Sequence, residues 1–339
     1  MSNRIFSTIN KKRKSMILKF IRKILFDYRF FFNKDKVYVL MFHKVNDDSD
    51  VFYKGMPTKT FYKLIEYIIL HFQIVHFEEV EYLLGKQEKP LLVITFDDGM
   101  DDIRTNVYDF MMERKVKFTI NIDTKILIDS KPQYFIQVYD LLNHSTKIES
   151  YYDSKYMKER INVNYVQPYE TESAFTYLLS PMRNSEKEDF IDRMRLNLGL
   201  QKKCFTKVLS ANWIEKQKEN TLISFGSHSH SHPIFSELNS EQIKNELSIS
   251  RNLLEEILHK KIEVFAYPNG EAEEYTDGLI QNQGFKIILK TGDRLNHLGK
   301  FSSTIFYRIN MYQQDLEMAI LQSIGLLPKL RDIKTKIWN

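Results

Sequence analysis

Leu91-Leu92-Val93-Ile94-Thr95-Phe96-Asp97-Asp98-Gly99 is the stretch on which the fold turns. Four β-favouring apolar residues behind Pro90 describe a strand buried on both faces, and Gly99 marks the sharp turn that leaves it. Two adjacent carboxylates therefore stand at the C-terminal rim of a buried strand, where barrels and open α/β sheets carry their chemistry. A helix should follow, with Asp101 or Asp102 as its N-cap. Aspartate is also frequent in strand-to-helix turns, so on this stretch alone turn and capping roles account for the pair equally well.

Upstream, Val37 to Phe42 form a second β-like run leading straight into His43. Helical patterns cover Thr60 to His71 and Phe77 to Gly85, with Gln73 to His76 as a short strand between them, and Lys117 to Ile122 is the next strand. Strand and helix in alternation point to a parallel sheet or barrel. Residues from about 125 to 219 break the rhythm. Rich in Tyr, Lys, Asn and Glu, with helical pieces at Tyr134 to Asn143 and Glu186 to Leu198, they are expected to form a mostly helical insertion beside the rim. The rhythm returns with a strand at Thr221 to Phe225. A helix over Ser240 to Lys260 then opens on a capping box of Asn239 and Gln242 and buries Ile243, Leu247, Leu254 and Ile257.

With 339 residues and 43% hydrophobic content the chain can bury a large core without staples. A single cysteine, Cys204, excludes an intramolecular disulfide framework and a thiolate metal cluster. Residues 1–36 carry eleven Lys or Arg against Asp27 and Asp35, a net +9 in a chain of net +5, so the remainder is net −4. That mildly acidic body argues against nucleic-acid binding. Within the basic segment Ile17, Phe20, Ile21, Ile24, Tyr28 and Phe31 share one helical face, and Lys19, Arg22, Lys23 and Arg29 another. Charges interrupt the apolar stretch and no small-residue cleavage site follows, so neither a secretory signal nor a membrane span of ~18 apolar residues is read here. An interfacial helix on an anionic membrane surface, through residues 1–33, is one expectation, and packing on the body or another subunit is the other.

The strand at Thr221 ends in Gly226-Ser227-His228-Ser229-His230-Ser231-His232-Pro233. On one helical turn His228 and His232 would present two imidazoles to one ion, while His230 would point elsewhere. Two neutral imidazoles and a carboxylate suit zinc or another divalent transition metal with open positions. Histidine pairs at this spacing are also common on surfaces, but this one follows a strand as Asp97-Asp98 does, and two rim clusters of complementary ligand type favour a metal site.

Together these motifs carry a resemblance. Thr95-Phe96-Asp97-Asp98-Gly99, His228-Ser229-x-x-His232-Pro233 and Phe265-Ala266-Tyr267-Pro268-Asn269-Gly270 resemble the polysaccharide deacetylase family of carbohydrate esterases, over roughly residues 36–123 and 210–310. The resemblance implies a distorted (β/α) barrel holding one divalent metal by Asp98, His228 and His232, with Asp97 as general base. It also implies Tyr267, Pro268 and Asn269 at the oxyanion and substrate, the donor being the Asn269 backbone N–H. The chemistry agrees: hydrolysis of an acetamide needs an activated water, a proton acceptor and a holder for the oxyanion.

One departure matters. Many members orient the base with an arginine where this chain has Ala266, and the third motif instead resembles a subgroup that deacetylates poly-N-acetylglucosamine and capsular glycans. There the acid histidine lies on the first strand, which implies His43 as catalytic acid. Arg308, in Tyr307-Arg308-Ile309, is then the residue expected to support Asp97.

His71, His76, His144 and His259 lie in helical or insertion segments and are read as ordinary surface or half-buried residues, and His297 could line the groove. The expected organisation is a basic segment 1–35, a barrel domain 36–325 with the insertion at about 125–219, and a basic tail 326–339. The expected activity is metal-dependent removal of acetyl groups from an N- or O-acetylated glycan or lipid-linked saccharide, in capsule or exopolysaccharide biosynthesis. Its expected place is the cytoplasm, peripheral at the inner membrane face. A catalytically silent sugar-binding relative is the alternative; a metal-dependent glycosyltransferase is less favoured, for want of a glycine-rich phosphate loop.

Overall fold

The computed structural model describes residues 33–145, 179, 182–201, 205–270, 274–297 and 304–327. Nine strands are described: β1 Lys36–Phe42, β2 Gln73–Ile74, β3 Leu91–Phe96, β4 Phe118–Ile122, β5 Ile223–Ser227, β6 Val264–Ala266, β7 Ile287–Thr291, β8 Asn296–His297 and β9 Ile305–Asn310. Seven of them, β1, β3, β4, β5, β6, β7 and β9, pair in parallel and close into a barrel where β1 meets β3, with Val39 opposite Val93 and Phe42 opposite Phe96. β2 adds to the outer edge of β3, and β8 runs antiparallel to the start of β1.

Closure explains the uninterrupted apolar runs seen in sequence, because both faces of each barrel strand are covered. Tyr38, Leu40 and Phe42 of β1 and Leu92, Ile94 and Phe96 of β3 face outward. They pack with Phe61, Leu64, Ile65 and Ile68 of the helix Thr58–His71 and with Ile243, Leu247 and Leu254 of the helix Ser240–Leu258. The alternate set, Val37, Val39, Leu91, Val93, Val264, Ala266 and Leu289, fills the barrel, and Phe77 and Val80 of the helix Phe77–Leu83 join it. The capping box at Asn239 and Gln242 forms as the sequence indicates, with Asn239 Oδ1 accepting from the N–H groups of Glu241 and Gln242.

One local expectation is corrected. Asp102 precedes a π-helical turn, Ile103–Val107, but does not cap it; its Oδ2 accepts the N–H of Val45 from the β1 side. Between β4 and β5 lie the helices Lys125–Asp129, Tyr134–Asn143, Asn184–Asn197 and Ala211–Lys216, so the described part of this region is mostly helical, and Val208 makes an isolated bridge to Met100. Phe52, Val138, Tyr139, Leu142, Phe190 and Met194 form a second apolar cluster there. The amphipathic pattern at Ile17 to Phe31 and most of the basic tail lie outside the described residues. No described helix is long and apolar enough to cross a membrane.

Candidate active site

Strand alternation delivers Asp97. Leu91 and Val93 face the barrel interior, so Thr95 and then Asp97 continue the inward column into the mouth. By the same rule Asp98 should face the outer helices. It does not, because its backbone is left-handed (φ 69°), a conformation aspartate tolerates better than most residues, and the pleat breaks there. Both carboxylates thereby reach one cleft of about 500 Å³.

Asp97 is 1% exposed. Its Oδ1 accepts from Arg308 Nη1 and from Asn121 Nδ2, each at 2.7 Å. Burial pushes this carboxyl up, but the Arg308 guanidinium, with His228 and His43 nearby, outweighs it and holds the group below the usual carboxylate range. Asn121 has room because β5 offers Gly226 opposite, where a Cβ would stand 2.3 Å from Asn121 Oδ1.

Asp98 turns Oδ1 toward His228 Nε2 at 3.5 Å and His232 Nε2 at 3.4 Å. Its Oδ2 accepts from the Tyr53 hydroxyl at 2.6 Å, and Gln133 Nε2 donates to its main-chain oxygen at 3.3 Å. Burial raises this carboxyl too; the imidazoles of His232, His43 and His228 more than offset it, and Asp98 lies far below the ordinary range.

His228 follows β5 into the mouth and donates from Nδ1 to the Ala266 carbonyl at 2.8 Å, which leaves the Nε2 lone pair facing Asp98. Burial drives its pKa down to about 4, so the ring is neutral near pH 7. His232 arrives by a route other than the expected helical turn. The segment is an irregular loop with left-handed Ser229 (φ 69°) and His232 (φ 56°). Glu246 Oε2 holds the loop through the N–H groups of His230 and Ser231, each at 2.8 Å, and His232 N–H donates to Ser229 Oγ at 3.0 Å. His230 points elsewhere, its Nδ1 2.9 Å from Thr124 Oγ1.

One ligand atom from each of Asp98, His228 and His232 lies within 4.8 Å of the others. Nitrogen and oxygen ligands about 2.0–2.1 Å from a tetrahedral ion stand roughly 3.3–3.4 Å apart, close to the separations from Asp98 Oδ1 to the two imidazoles. A neutral imidazole with a fixed tautomer and an ionised carboxylate complete the fit. These residues suit a divalent transition metal.

His43 follows β1 on the inward column and borders the cleft, its ring centroid 6.1 Å from that of Tyr53. Arg308 comes from β9 and is fully buried. Asn269 is exposed at the cleft edge in a left-handed turn (φ 57°). Pro268 and Tyr267 are buried; the Tyr267 hydroxyl donates to Asp277 Oδ1 at 2.6 Å, on the helix Glu274–Asn282, so it serves the wall of the cleft. His297 does not line the groove: it sits on β8 opposite Lys36, at the start of β1 and therefore at the end of the barrel away from His43. His76 stands at the N-cap position of the helix Phe77–Leu83, where its N–H donates to Glu79 Oε2 at 2.8 Å, and its Nε2 lies 3.1 Å from the Thr221 carbonyl.

A family model for polysaccharide deacetylase matches residues 84–169 and 205–288, half of the chain. The chain belongs to the polysaccharide deacetylase family. Its fold is similar to those of three solved structures. The Streptococcus pyogenes deacetylase PplD in complex with acetate aligns with TM-score 0.56 and 15% identity, over 86% of this chain and 99% of that one. IcaB from Ammonifex degensii aligns with TM-score 0.55 and 16% identity, over 86% and 97%. A de-N-acetylase from Aggregatibacter actinomycetemcomitans aligns with TM-score 0.51 and 11% identity, over 86% and 100%. At such identities the likeness is one of fold. No curated protein matches the chain.

Four residues of this deacetylase site were not singled out from sequence. Asn121 had a signal, a polar side chain at an inward position of an apolar strand. Glu246 looked like one more exposed helix residue, and Tyr53 and Gln133 lie in segments with no pattern at all.

Proposed function

We propose that the protein is a metal-dependent hydrolase that removes acetyl groups from an acetylated glycan or lipid-linked saccharide. The observation that carries this reading is the ionised Asp97, tied to Arg308, with its Oδ2 3.8 Å from His228 Nε2 and hence beside the Asp98, His228 and His232 donors. Held by those three residues, a divalent ion, zinc first among them, would polarise the acetyl carbonyl and acidify a water.

The chain's own residues do the rest. Arg308 and Asn121 both bind Asp97 Oδ1, which leaves Oδ2 as the oxygen that takes a proton from the attacking water. The Asn269 N–H stabilises the oxyanion as the carbonyl becomes tetrahedral. His43 then gives a proton to the departing sugar nitrogen, so that acetate and a free amine leave. An N-acetyl substrate is preferred here because one protein of this fold is a de-N-acetylase. The basic amphipathic pattern of residues 1–33 supports work at the inner face of a membrane on a capsule or exopolysaccharide precursor.

Asp97→Asn tests the assignment of base and ligand. It should retain zinc near the wild-type level, by elemental analysis, yet lower acetate release from an N-acetylglucosamine oligomer by at least ~100-fold. Near-normal turnover would show that the roles of Asp97 and Asp98 are misassigned.

A further inference from the structure

Asp98 has two oxygens, and only one of them faces the imidazoles. The other, Oδ2, accepts a 2.6 Å hydrogen bond from Tyr53, in the short range of charge-assisted O–H···O⁻ bonds. Tyr53 comes from the segment between β1 and the helix Thr58–His71, and its backbone is left-handed (φ 51°), an unfavourable conformation for a tyrosine. Something must hold it there. Asn143, the last residue of the helix Tyr134–Asn143, does so with one side chain: Oδ1 accepts from the N–H groups of Val51 (3.0 Å) and Phe52 (2.9 Å), and Nδ2 donates to the Phe52 carbonyl (3.0 Å).

The same helix packs the ring. Tyr53 stacks on Tyr139 with centroids 5.9 Å apart and meets Phe135 edge-on at 6.0 Å, while Phe52 is buried in the cluster with Val138 and Leu142. Just ahead of its first turn, Gln133 Nε2 reaches Asp98 directly, at 3.3 Å from the main-chain oxygen and 3.4 Å from Oδ1. One helix between β4 and β5 therefore grips Asp98 from both ends, once through Gln133 and once through Asn143 and Tyr53.

We propose that Tyr53, latched by Asn143, is a positioning residue for Asp98: its hydroxyl occupies Oδ2, so that Oδ1 alone is presented to a divalent ion beside His228 and His232. One oxygen instead of two leaves more of the ion's coordination positions for water and the acetyl group. The inference rests on the metal site proposed above, and it makes a loop and a helix that no motif marks part of the site's geometry.

The test uses the full-length chain and the metal alone. Zinc affinity is measured by competition with a chromophoric chelator, and the visible spectrum is recorded with Co²⁺ in place of zinc. Tyr53→Phe removes one oxygen and keeps the ring stacking. It should weaken zinc binding roughly 10–100-fold, the usual effect of losing a hydrogen bond to a ligand, and change the cobalt spectrum as Oδ2 becomes available. Asn143→Ala should act in the same direction, and the double variant should be no weaker than Tyr53→Phe, because both changes break one chain of contacts. Wild-type zinc affinity and an unchanged cobalt spectrum in Tyr53→Phe would overturn the proposal. A wild-type chain that binds no zinc would instead overturn the metal reading beneath it.

Discussion

Arg308 Nη1 donates to Asp97 Oδ1 across 2.7 Å, and neither residue is more than 1% exposed. A lone buried carboxylate would take up a proton; the guanidinium keeps this one ionised and aimed, although the two residues lie on strands far apart in the chain. The chain thus pairs Asp97 with an arginine on β9, while the third motif carries Ala266.

Removing that cation has a signed consequence for pH. Arg308→Met leaves Asp97 buried without its ion pair, so the carboxyl's pKa rises. Since a base must be ionised to act, the acid limb of the kcat/KM profile should move to higher pH, and stability should fall by about 3–5 kcal/mol. Arg308→Lys keeps the charge and should shift the limb less. An acid limb that stays in place in Arg308→Met would show that Asp97 does not set it.

Asp102 carries the opposite sign. Burial pushes its carboxyl up to about 7, against the pull of the Val45 N–H and Lys44. Between about pH 4 and pH 7 the folded chain holds a proton there that the unfolded chain has lost, so this contribution is fully present below the unfolded pKa and disappears as pH rises through 7. Asp102→Asn retains an acceptor for Val45 and cannot ionise. Relative to wild type it should gain stability from about pH 4 to pH 7, by up to about 1.4 kcal/mol per pH unit within the window. Melting curves of both proteins across that range check it; a constant difference would place the carboxyl's pKa outside the range.

How much of this was legible in the sequence depended on distance along the chain. Asp97-Asp98-Gly99 behind a buried strand is a local pattern, and its place at the barrel mouth could be read from four apolar residues and a turn. His228 and His232 were found for a reason that fails: helical spacing pointed to them, but left-handed Ser229 and His232 and the Glu246 clamp bring them together. Arg308 could be sought only because Ala266 left a vacancy in the motif. Tyr53 and Gln133 were beyond reach, since their contacts to Asp98 span 45 and 35 residues and need the folded loop and helix to exist.

Residues 1–33 invite a separate experiment, on location. Basic residues near an anionic surface contribute roughly 1 kcal/mol each, and the apolar and aromatic residues patterned from Ile17 to Phe31 would add apolar burial if they form the proposed interfacial helix. The full chain should therefore sediment with anionic liposomes, less so in high salt. A chain starting at Lys34 should stay in solution while keeping its turnover on a small acetylated sugar. If the shortened chain loses its metal or precipitates, the segment belongs to the fold and the membrane proposal fails.

Metal occupancy measured alongside acetate release bears most directly on the proposed chemistry. As zinc is titrated into chelator-stripped protein, acetate released from an N-acetylglucosamine oligomer, with an equal yield of free amine, should rise in proportion to bound zinc and level off at one ion per chain. Asp98→Ala should bind almost none and release almost none. Full turnover in the stripped protein, or in Asp98→Ala, would contradict a metal-dependent deacetylase built on Asp98, His228 and His232.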